Sequence, residues 1–399
     1  MTAPMLLGIC LCLVSLAHSG AGTAGRPHPS YCTTFRDRPG WCRHYSKCPD
    51  FNELIAKWKG NLALTEEETR LKESSGCSTK QVSHRMEGFG IWDAHSTICG
   101  PLQTFVCCED HASEAGLQLL HQSEEACGKF TGPKVFGGTE IKMGSRPWMA
   151  LLRYNAIVPG SRERDQFLCG ATLIATRFVL TAAHCVIDIL PVAVRLGEHN
   201  ITSEQDCRIV NSEVRCQPPH VDVGIDKVIR HEGYSKYTQH NDIALIKLSR
   251  EVLFTDHIAP ICLPLYAELQ KSIQEMPVMR VTGWGRQHAN GNDSDVPLEA
   301  GITRLPLASC SALQNRSIAG NQICASASLR DSCKGDSGGP LLYAFRYQNS
   351  IQRFVQIGIV SYGPEDCGHQ QLGHPAADQT AVYTDLARFI PWISQKMAQ

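Results

Sequence analysis

Nineteen cysteines constrain this 399-residue chain more than any other feature of its sequence. Two of them, Cys10 and Cys12, fall in an apolar start, which leaves seventeen of the nineteen for the rest of the chain. Such usage is typical of an oxidising compartment, where disulfides stabilise small modules. A zinc-binding interpretation is disfavoured, because no C-x-x-C clusters or His-x-x-x-His spacings accompany these cysteines. The sequence therefore predicts a secreted, disulfide-bonded protein.

The start of the chain predicts a signal peptide over residues 1–19. Residues 5–17 are apolar but too short to cross a bilayer, and the small residues Ala17 and Ser19 favour cleavage near Ser19. The usual preceding positive charge is missing, so a buried N-terminal strand or helix is the alternative. No later run is long enough to span a membrane. Three glycosylation sequons agree with secretion: Asn200, Asn292 and Asn315.

Length and charge narrow the classes of protein that the chain can belong to. At 399 residues it is long for one compact domain, so a large core plus a smaller module is expected. The formal net charge of −1 argues against a nucleic-acid binder and against attachment to anionic lipid by charge alone.

Cysteine spacing and composition divide the chain beyond the signal peptide into three segments. Residues 30–108 are rich in cysteine and too short for a self-sufficient core, which predicts a small disulfide module. Residues 109–134 are polar and acidic without a sustained helical or alternating pattern, so we expect an exposed linker and activation segment. Residues 135–399 form the large domain.

The large domain has the sequence texture of an all-β fold. Short apolar, β-branched runs alternate with Gly, Pro, Asn and Asp, which predicts a barrel or sandwich. Three such runs are residues 178–180, 243–246 and 355–360. The chain end differs, because apolar residues recur there at helical spacing and predict one amphipathic C-terminal helix. These residues are Leu386, Phe389, Ile390, Trp392 and Ile393.

Three segments carry the chemistry, and they place His184, Asp242 and Ser337 in the order His, Asp, Ser along the chain. A hydroxyl is a poor nucleophile at neutral pH. It therefore needs an imidazole to take its proton and a carboxylate to hold the tautomer of that imidazole. Glycines at 335 and 338 let the backbone turn sharply, so that the amides of Gly335 and Ser337 face a developing oxyanion. Alone, each segment has an ordinary interpretation as a turn or a core histidine, but the combination favours a catalytic triad.

From Val135 onward the chain resembles the trypsin-like branch of the chymotrypsin family of serine proteases. Besides the triad segments, the resemblance includes Pro147-Trp148, Cys169-Gly170-Ala171-Thr172-Leu173-Ile174, Pro260-Ile261-Cys262-Leu263-Pro264, Gly283-Trp284-Gly285 and Ser361-Tyr362-Gly363. It implies two six-stranded antiparallel β-barrels with the active site between them, and no cofactor for catalysis.

Substrate preference follows from the same resemblance. Asp331 looks like the carboxylate at the floor of the primary specificity pocket, which selects Arg or Lys, and Ser361 and Gly363 match substrate-binding positions of the family. An Asp331 bonded to nearby amides is the structural alternative. The segment 369–380 is longer than the usual turn, and Ala381 stands where glycine is usual, so the balance between Arg and Lys stays open.

Activation is implied as well, because Lys134-Val135-Phe136-Gly137-Gly138 resembles the cleavage junction of family zymogens. A new α-ammonium group on Val135 would fold inward, pair with Asp336 and order the oxyanion loop and the pocket. Lys134 implies that the upstream activator is itself trypsin-like.

The N-terminal module resembles the clip domain of arthropod serine proteases such as the easter-like and prophenoloxidase-activating enzymes. Sequence alone permits fifteen pairings of six cysteines. The family pattern implies Cys32–Cys107, Cys42–Cys99 and Cys48–Cys108, and leaves Cys77 free or bonded to another chain. For the remaining cysteines the resemblance implies Cys127–Cys262, Cys169–Cys185, Cys207–Cys216, Cys310–Cys324 and Cys333–Cys367.

Some relatives bind a structural calcium ion in the loop that contains Glu198, Asn200 and Asp206. Calcium is therefore one expectation, and ordinary solvated acidic residues are the other.

The leading functional hypothesis is a clip-domain zymogen of the extracellular haemolymph. Such an enzyme would cleave protein precursors in an immune, melanisation or developmental cascade, with a serpin as its inhibitor. A digestive trypsin and a non-catalytic clip homologue are the rival hypotheses. The clip module weakens the first, and the complete triad weakens the second.

Overall fold

A computed structural model of the chain describes residues 105–130, 139–155, 166–285, 293–326, 336–347, 351–363 and 380–399 continuously. In the first block it describes residues 31–33, 39–44, 48, 51, 54, 56, 57, 63, 65, 66 and 69. Within these residues no helix is both long and apolar enough to cross a membrane.

Most of the named elements are strands. In chain order the strands are β1 (Tyr31–Thr33), β2 (Pro39–His44), β3 (Phe105–Glu109), β4 (Thr139–Glu140), β5 (Met149–Tyr154), β6 (Phe167–Ala175), β7 (Phe178–Thr181), β8 (Pro191–Leu196), β9 (Cys207–Val210), β10 (Glu213–Cys216), β11 (Val221–Arg230), β12 (Ala244–Leu248), β13 (Val278–Gly283), β14 (Leu298–Leu305), β15 (Gln322–Ser326), β16 (Pro340–Tyr347), β17 (Ile351–Tyr362) and β18 (Thr380–Asp385). The α-helices are α1 (Glu114–His121), α2 (Ala267–Gln274), α3 (Leu307–Gln314) and α4 (Ile390–Met397), with 3-10 turns at Ala183–Val186 and Leu386–Arg388.

The strands of the large domain form two antiparallel barrels. The first closes in the order β11-β12-β7-β6-β5-β8. The second runs β13-β16-β17-β18-β15-β14 and closes through pairing of β13 with β14, while β4 adds to the outer edge of β14. This architecture confirms the predicted fold of two six-stranded barrels and a C-terminal helix.

The apolar runs that predicted strands form the cores of these barrels. Strand β7 is buried along its whole length, and β12 is buried except at Lys247. Runs that are apolar on both faces fit strands covered on both sides, which is why these segments lack a polar alternation. The predicted C-terminal helix is confirmed as α4, with Ile390, Trp392 and Ile393 buried.

The described part of the N-terminal module contains a three-stranded antiparallel sheet in the order β1-β2-β3. Its register places Cys42 opposite Cys107 and Trp41 opposite Cys108. A disulfide joins Cys48 to Cys108. A sheet this small buries little apolar surface, so covalent cross-links supply stability that a core would otherwise provide.

The expectation that residues 109–134 form an exposed linker without a helix was wrong for the part that the structure describes. Residues 114–121 form α1, which lies against α4, and Leu120 and Cys127 are 4% and 2% exposed. Tertiary packing explains the difference. A helix this short is stabilised by the surface it contacts, so its own sequence pattern does not reveal it. We call residues 110–130 the docking segment.

Polar contacts fix the docking segment at several points along its length. The Ser113 amide donates to Ser394 Oγ at 2.9 Å, and the hydroxyl of Tyr347 donates to the Glu124 carboxylate at 2.9 Å. Arg353 donates to three backbone carbonyls near the end of the segment, those of Glu124, Glu125 and Cys127. The disulfide Cys127–Cys262 then joins the segment covalently to the large domain.

Gly116 allows the close approach of α1 to α4, and this generates a prediction. A Cβ atom at residue 116 would overlap the backbone carbonyl of Ser394. We expect Gly116→Ala to lower the free energy of unfolding by about 1–3 kcal/mol, because backbone atoms must shift to relieve the overlap. Gly301→Ala is the matched control, since a Cβ there meets nothing within 4 Å. Equal melting temperatures of the two variants in a thermal scan would contradict this packing.

Candidate active site

His184 and Asp242 reach each other from two neighbouring strands of the first barrel. His184 lies in the 3-10 turn that follows β7, and Asp242 lies two residues before β12, which pairs with β7. His184 Nδ1 is 2.8 Å from Asp242 Oδ2, and the His184 backbone amide donates to Asp242 Oδ1 at 2.9 Å. This double contact fixes the orientation of the imidazole and leaves its Nε2 on the other side of the ring.

Residues of the second barrel complete the environment of Asp242, whose side chain is fully buried. The Ser361 hydroxyl donates to Asp242 Oδ2 at 2.6 Å, and the Thr384 hydroxyl donates to the Asp242 carbonyl at 2.7 Å. A buried carboxylate is costly unless donors surround it, and His184 and Ser361 supply them here. Ser361, considered from sequence only as a substrate-binding residue, thus also contacts the Asp242 carboxylate.

The Asp242 carboxylate also affects the protonation of His184. Burial lowers the pKa of the imidazole, while the charge and hydrogen bond of Asp242 raise it, and the net direction is upward from the ordinary value of 6.5. A more basic imidazole is a better proton acceptor, because its conjugate acid is stabilised by the adjacent charge.

Ser337 lies where the two barrels meet. Its carbonyl accepts a hydrogen bond from the Gly170 amide of β6 at 2.8 Å, so the start of β16 is joined to the first barrel. The next residue, Gly338, has φ +77°, and a Cβ there would collide with Thr181 Oγ1 and the Gly170 carbonyl and approach Cys185 Sγ. Ser337 is therefore held beside the turn that contains His184.

No hydrogen bond joins Ser337 Oγ to His184 Nε2 within the residues that the structure describes. That nitrogen lies 3.6 Å from Cys185 Sγ. In proteases without substrate, contacts between nucleophile and base are often long and shorten when substrate binds. Two of the three predicted residues are thus joined directly, and the third lies next to them.

Asp336 occupies a small site formed by two glycines. The residue is 8% exposed, and its Oδ1 accepts a hydrogen bond from the Gly285 amide at 2.9 Å. A Cβ at Gly283 or Gly285 would overlap this carboxylate. The segment Gly283-Trp284-Gly285 therefore shapes the surroundings of a buried acid directly before Ser337.

Several predicted site residues lie outside the described part of the chain: Lys134, Val135, Asn292, Asp331 and Gly335. Gly363 is described and exposed, directly after β17. Ala381 is 1% exposed and pairs with Ala325 of β15, whereas residues 369–379 are outside the described part.

Five of the predicted disulfides lie within the described part of the chain. The structure contains Cys48–Cys108, Cys127–Cys262, Cys169–Cys185, Cys207–Cys216 and Cys310–Cys324. The bond Cys169–Cys185 joins β6 to the residue after His184, which ties the imidazole to the same strand that binds Ser337. The other implied pairs and Cys77 involve residues or side chains outside the described part.

In the loop considered for calcium, the carboxylate oxygens of Glu198 and Asp206 already form ion pairs or hydrogen bonds with protein groups. Glu198 Oε2 lies 3.3 Å from Arg195 Nη1 and 3.3 Å from His220 Nδ1. Asp206 accepts hydrogen bonds from the backbone amides of His199 and Asn200, and from a serine hydroxyl. Burial and the Asp206 charge raise the pKa of Glu198 to about 7.

Calcium requires several ionised or carbonyl oxygens directed at one position. A guanidinium in contact with Glu198 repels a divalent cation, so these residues as arranged do not fit calcium. Elsewhere in the described part, the cluster of candidate ligand atoms is Cys169, His184 and Cys185, and its two cysteines are joined to each other.

Two of the predicted sequons are described. Asn200 is partly buried, and its Oδ1 accepts hydrogen bonds from the amide and hydroxyl of Thr202. Asn315 is exposed and takes a left-handed conformation at the end of α3.

The comparisons with known proteins agree with this geometry. The family model described as Trypsin matches residues 135–393. Serine protease grass of Drosophila melanogaster is 35% identical over 400 residues, which cover 99% of this chain and 97% of that protein. CLIP domain-containing serine protease HP8 of Bombyx mori is 38% identical over 341 residues, which cover 81% of this chain and 87% of that protein.

A solved structure shows the same architecture. The crystal structure of the Drosophila Grass clip serine protease of the Toll pathway superposes with a TM-score of 0.65 at 35% identity and covers 92% of this chain and 97% of that one. Family match, relatives and fold agree along nearly the whole sequence, and the chain belongs to the clip-domain serine proteases of the trypsin family.

Proposed function

We propose that this protein is a secreted zymogen that cleaves protein precursors after Arg or Lys in an extracellular proteolytic cascade. One observation carries the catalytic part: His184 is anchored by the buried carboxylate of Asp242 and lies beside Ser337, where the two barrels meet. An imidazole oriented in this way can take the proton of a neighbouring hydroxyl.

The names of the relatives support the cascade role. They include Melanization protease 1, Spaetzle-processing enzyme and Phenoloxidase-activating enzyme, and the solved relative is described as a protease of the Toll pathway. By analogy, the substrate would be another protein precursor in haemolymph, the activator an upstream trypsin-like protease, and the inhibitor a serpin.

The proposed reaction divides roles among the site residues. Ser337 Oγ attacks the carbonyl carbon of the scissile peptide, and His184 Nε2 takes the hydroxyl proton and later donates it to the leaving amine. Asp242 keeps the proton on Nδ1 and stabilises the imidazolium. The amides of Gly335 and Ser337 stabilise the oxyanion, and Asp331 pairs with the basic side chain of the residue before the scissile bond.

Activation would follow cleavage between Lys134 and Val135. Asp336 is already buried beside the Gly285 amide, where a new α-ammonium group could pair with its carboxylate. The residues after the junction, Thr139 and Glu140, pair with β14 of the second barrel. The described chain after the junction therefore begins on the second barrel.

The first prediction concerns activation. In a precursor whose residues 131–134 are replaced by an enterokinase site that ends directly before Val135, cleavage should produce amidase activity on Arg and Lys peptides. After the same cleavage, the precursor with Ser337→Ala should have an amidase activity about 10⁶-fold lower, because the nucleophile is missing. Uncleaved precursor is the second control. Equal activity of the two cleaved proteins would refute the assignment of Ser337.

The second prediction concerns pH. His184 acts as a base only when neutral, and its pKa is raised above the ordinary value of 6.5. The kcat/KM of the activated enzyme should therefore fall as pH decreases, with a midpoint above 6.5. Asp242→Asn should lower kcat at neutral pH by about 10⁴-fold, because the Asn amide group can donate to Nδ1 and so hold the tautomer in which Nε2 cannot accept the serine proton. A wild-type midpoint below 6.5 would contradict the coupling of His184 to Asp242.

The third prediction concerns the link between the two chains of the activated enzyme. The two cysteines of the disulfide Cys127–Cys262 lie on opposite sides of the proposed cleavage site in the sequence. The bond therefore joins the two chains that cleavage produces. The cleaved enzyme should run as one band in non-reducing denaturing gels and as two bands after reduction. The double variant Cys127→Ser, Cys262→Ser is the control and should separate without reductant. Separation of the wild-type chains without reductant would reject the link.

A further inference from the structure

Among the described residues, the last residues of β17 have no strand partner on the edge next to Ser337. Strand β16 pairs with β17 as far as Ile359, and the Gly338 amide donates to the Val360 carbonyl at 3.0 Å. Beyond Val360, within the described residues, the strand that pairs with β17 is β18, on its other edge. A peptide with its scissile bond at Ser337 can therefore add there as an antiparallel strand along Ser361–Gly363.

Alternation along such a strand determines which substrate side chains face the first barrel. If the first residue before the scissile bond enters the specificity pocket, the second and fourth residues project to the opposite face. His184 and the loop leading to Asp242 lie near this edge, because Ser361 donates to the Asp242 carboxylate that also contacts His184. On a peptide paired in this way, the fourth residue before the scissile bond would lie farther from Ser337 than the second residue does, and nearer to Tyr362.

Arg316 occupies this outer position. Its Cζ atom lies 4.4 Å from the centroid of the Tyr362 ring, and its Nη2 donates to the Thr238 carbonyl at 2.9 Å. The side chain thus spans the space between the end of β17 and the loop before Asp242. A guanidinium has five N–H donors, so most of them stay available for a ligand.

Arg316 is the cation with unmatched charge in this part of the described surface. Within the described residues no carboxylate forms a salt bridge with it, whereas neighbouring Lys236 pairs with Asp188 at 2.8 Å. His240 lies close to Arg316, and burial lowers the pKa of its imidazole, so it is neutral at neutral pH. The Asp242 carboxylate is buried and accepts hydrogen bonds from His184 and Ser361.

The loop that Arg316 contacts is held in place by its own bonds. Gln239 and Asn241 have φ values of 55° and 57°, in the left-handed region, which is uncommon for Gln and more readily adopted by Asn. The Asn241 amide group donates to the Gly233 carbonyl at 2.8 Å, and Asn321 donates to Asn241 Oδ1 at 2.7 Å. A fixed loop keeps the guanidinium in place before substrate arrives, which lowers the entropic cost of binding.

We propose that Arg316 determines specificity by binding a carboxylate side chain, Asp or Glu, at the fourth residue before the scissile bond. This inference rests on the proposed protease function and adds a second charged requirement to the basic residue at the cleavage point. Arginine suits the role because its planar fork can bind both oxygens of a carboxylate while it stacks on an aromatic ring.

The test uses activated enzyme and peptide substrates that share Arg before the scissile bond and differ only at the fourth residue, which is Glu, Gln or Lys. Asn315 begins a sequon directly before Arg316, so every protein carries Asn315→Gln to remove a variable glycan. We expect kcat/KM for the Glu peptide to exceed that for the Lys peptide by about tenfold at low salt. The ratio should fall towards one at high salt.

Three variants separate charge recognition from loop support. Arg316→Gln keeps an N–H donor for the Thr238 carbonyl but lacks the charge, so its Glu-to-Lys ratio should be about one. Arg316→Glu should invert the preference. Arg346→Glu, an exposed arginine of β16, is the matched control and should keep the wild-type ratio.

Each outcome is decisive for one of the two proposals. An unchanged ratio in Arg316→Gln, or an equal loss on all three peptides without a change of ratio, would overturn the specificity role and leave Arg316 as a loop support. Failure of the activated wild-type enzyme to cleave any of the peptides would instead refute the proposed protease function.

Discussion

The arrangement of the proposed catalytic residues depends on the buried carboxylate of Asp242. It accepts hydrogen bonds from the backbone and ring of His184 in the first barrel and from Ser361 in the second, while Thr384 binds its carbonyl. An ionised group without water is costly, and these donors offset that cost only when the two barrels are correctly placed. The same contact therefore orients the imidazole and selects the relative position of the barrels.

A second buried carboxylate joins the barrels elsewhere. Glu299 of β14 is 1% exposed and accepts hydrogen bonds from Arg146, which precedes β5, and from Arg280 and Thr282 of β13. Removing one partner of such a buried cluster leaves an uncompensated charge, which typically costs about 3–5 kcal/mol. Such clusters tolerate little displacement, so this one also helps to fix the position of β13 and β14 relative to the segment that enters β5.

The sequence predicted those features that short segments encode on their own. The segments around His184, Asp242 and Ser337, the apolar strands and the C-terminal helix can all be recognised locally. The contact of Ser361 with Asp242 could not be predicted, because it joins residues 119 positions apart through the fold. Similarly, α1 is too short to be evident from its pattern, and it depends on the surface of α4 for its stability.

The acidic loop illustrates the opposite case, in which a local pattern indicates a ligand that the surroundings disfavour. Glu198 and Asp206 lie in a loop where some relatives bind calcium, but Arg195, near the end of the preceding strand β8, reaches Glu198. The direction in which an arginine three residues away points thus decides what the loop can bind.

The docking segment also determines how the N-terminal module is carried. Strand β3 ends at Glu109, and the next two residues, Asp110 and His111, already accept hydrogen bonds from Gln395 of α4. A module on a long flexible tether samples a wide volume, and its effective concentration near a partner depends on tether length. Here the free tether has almost no length, so a partner that binds both the module and the protease domain must match one spacing between them.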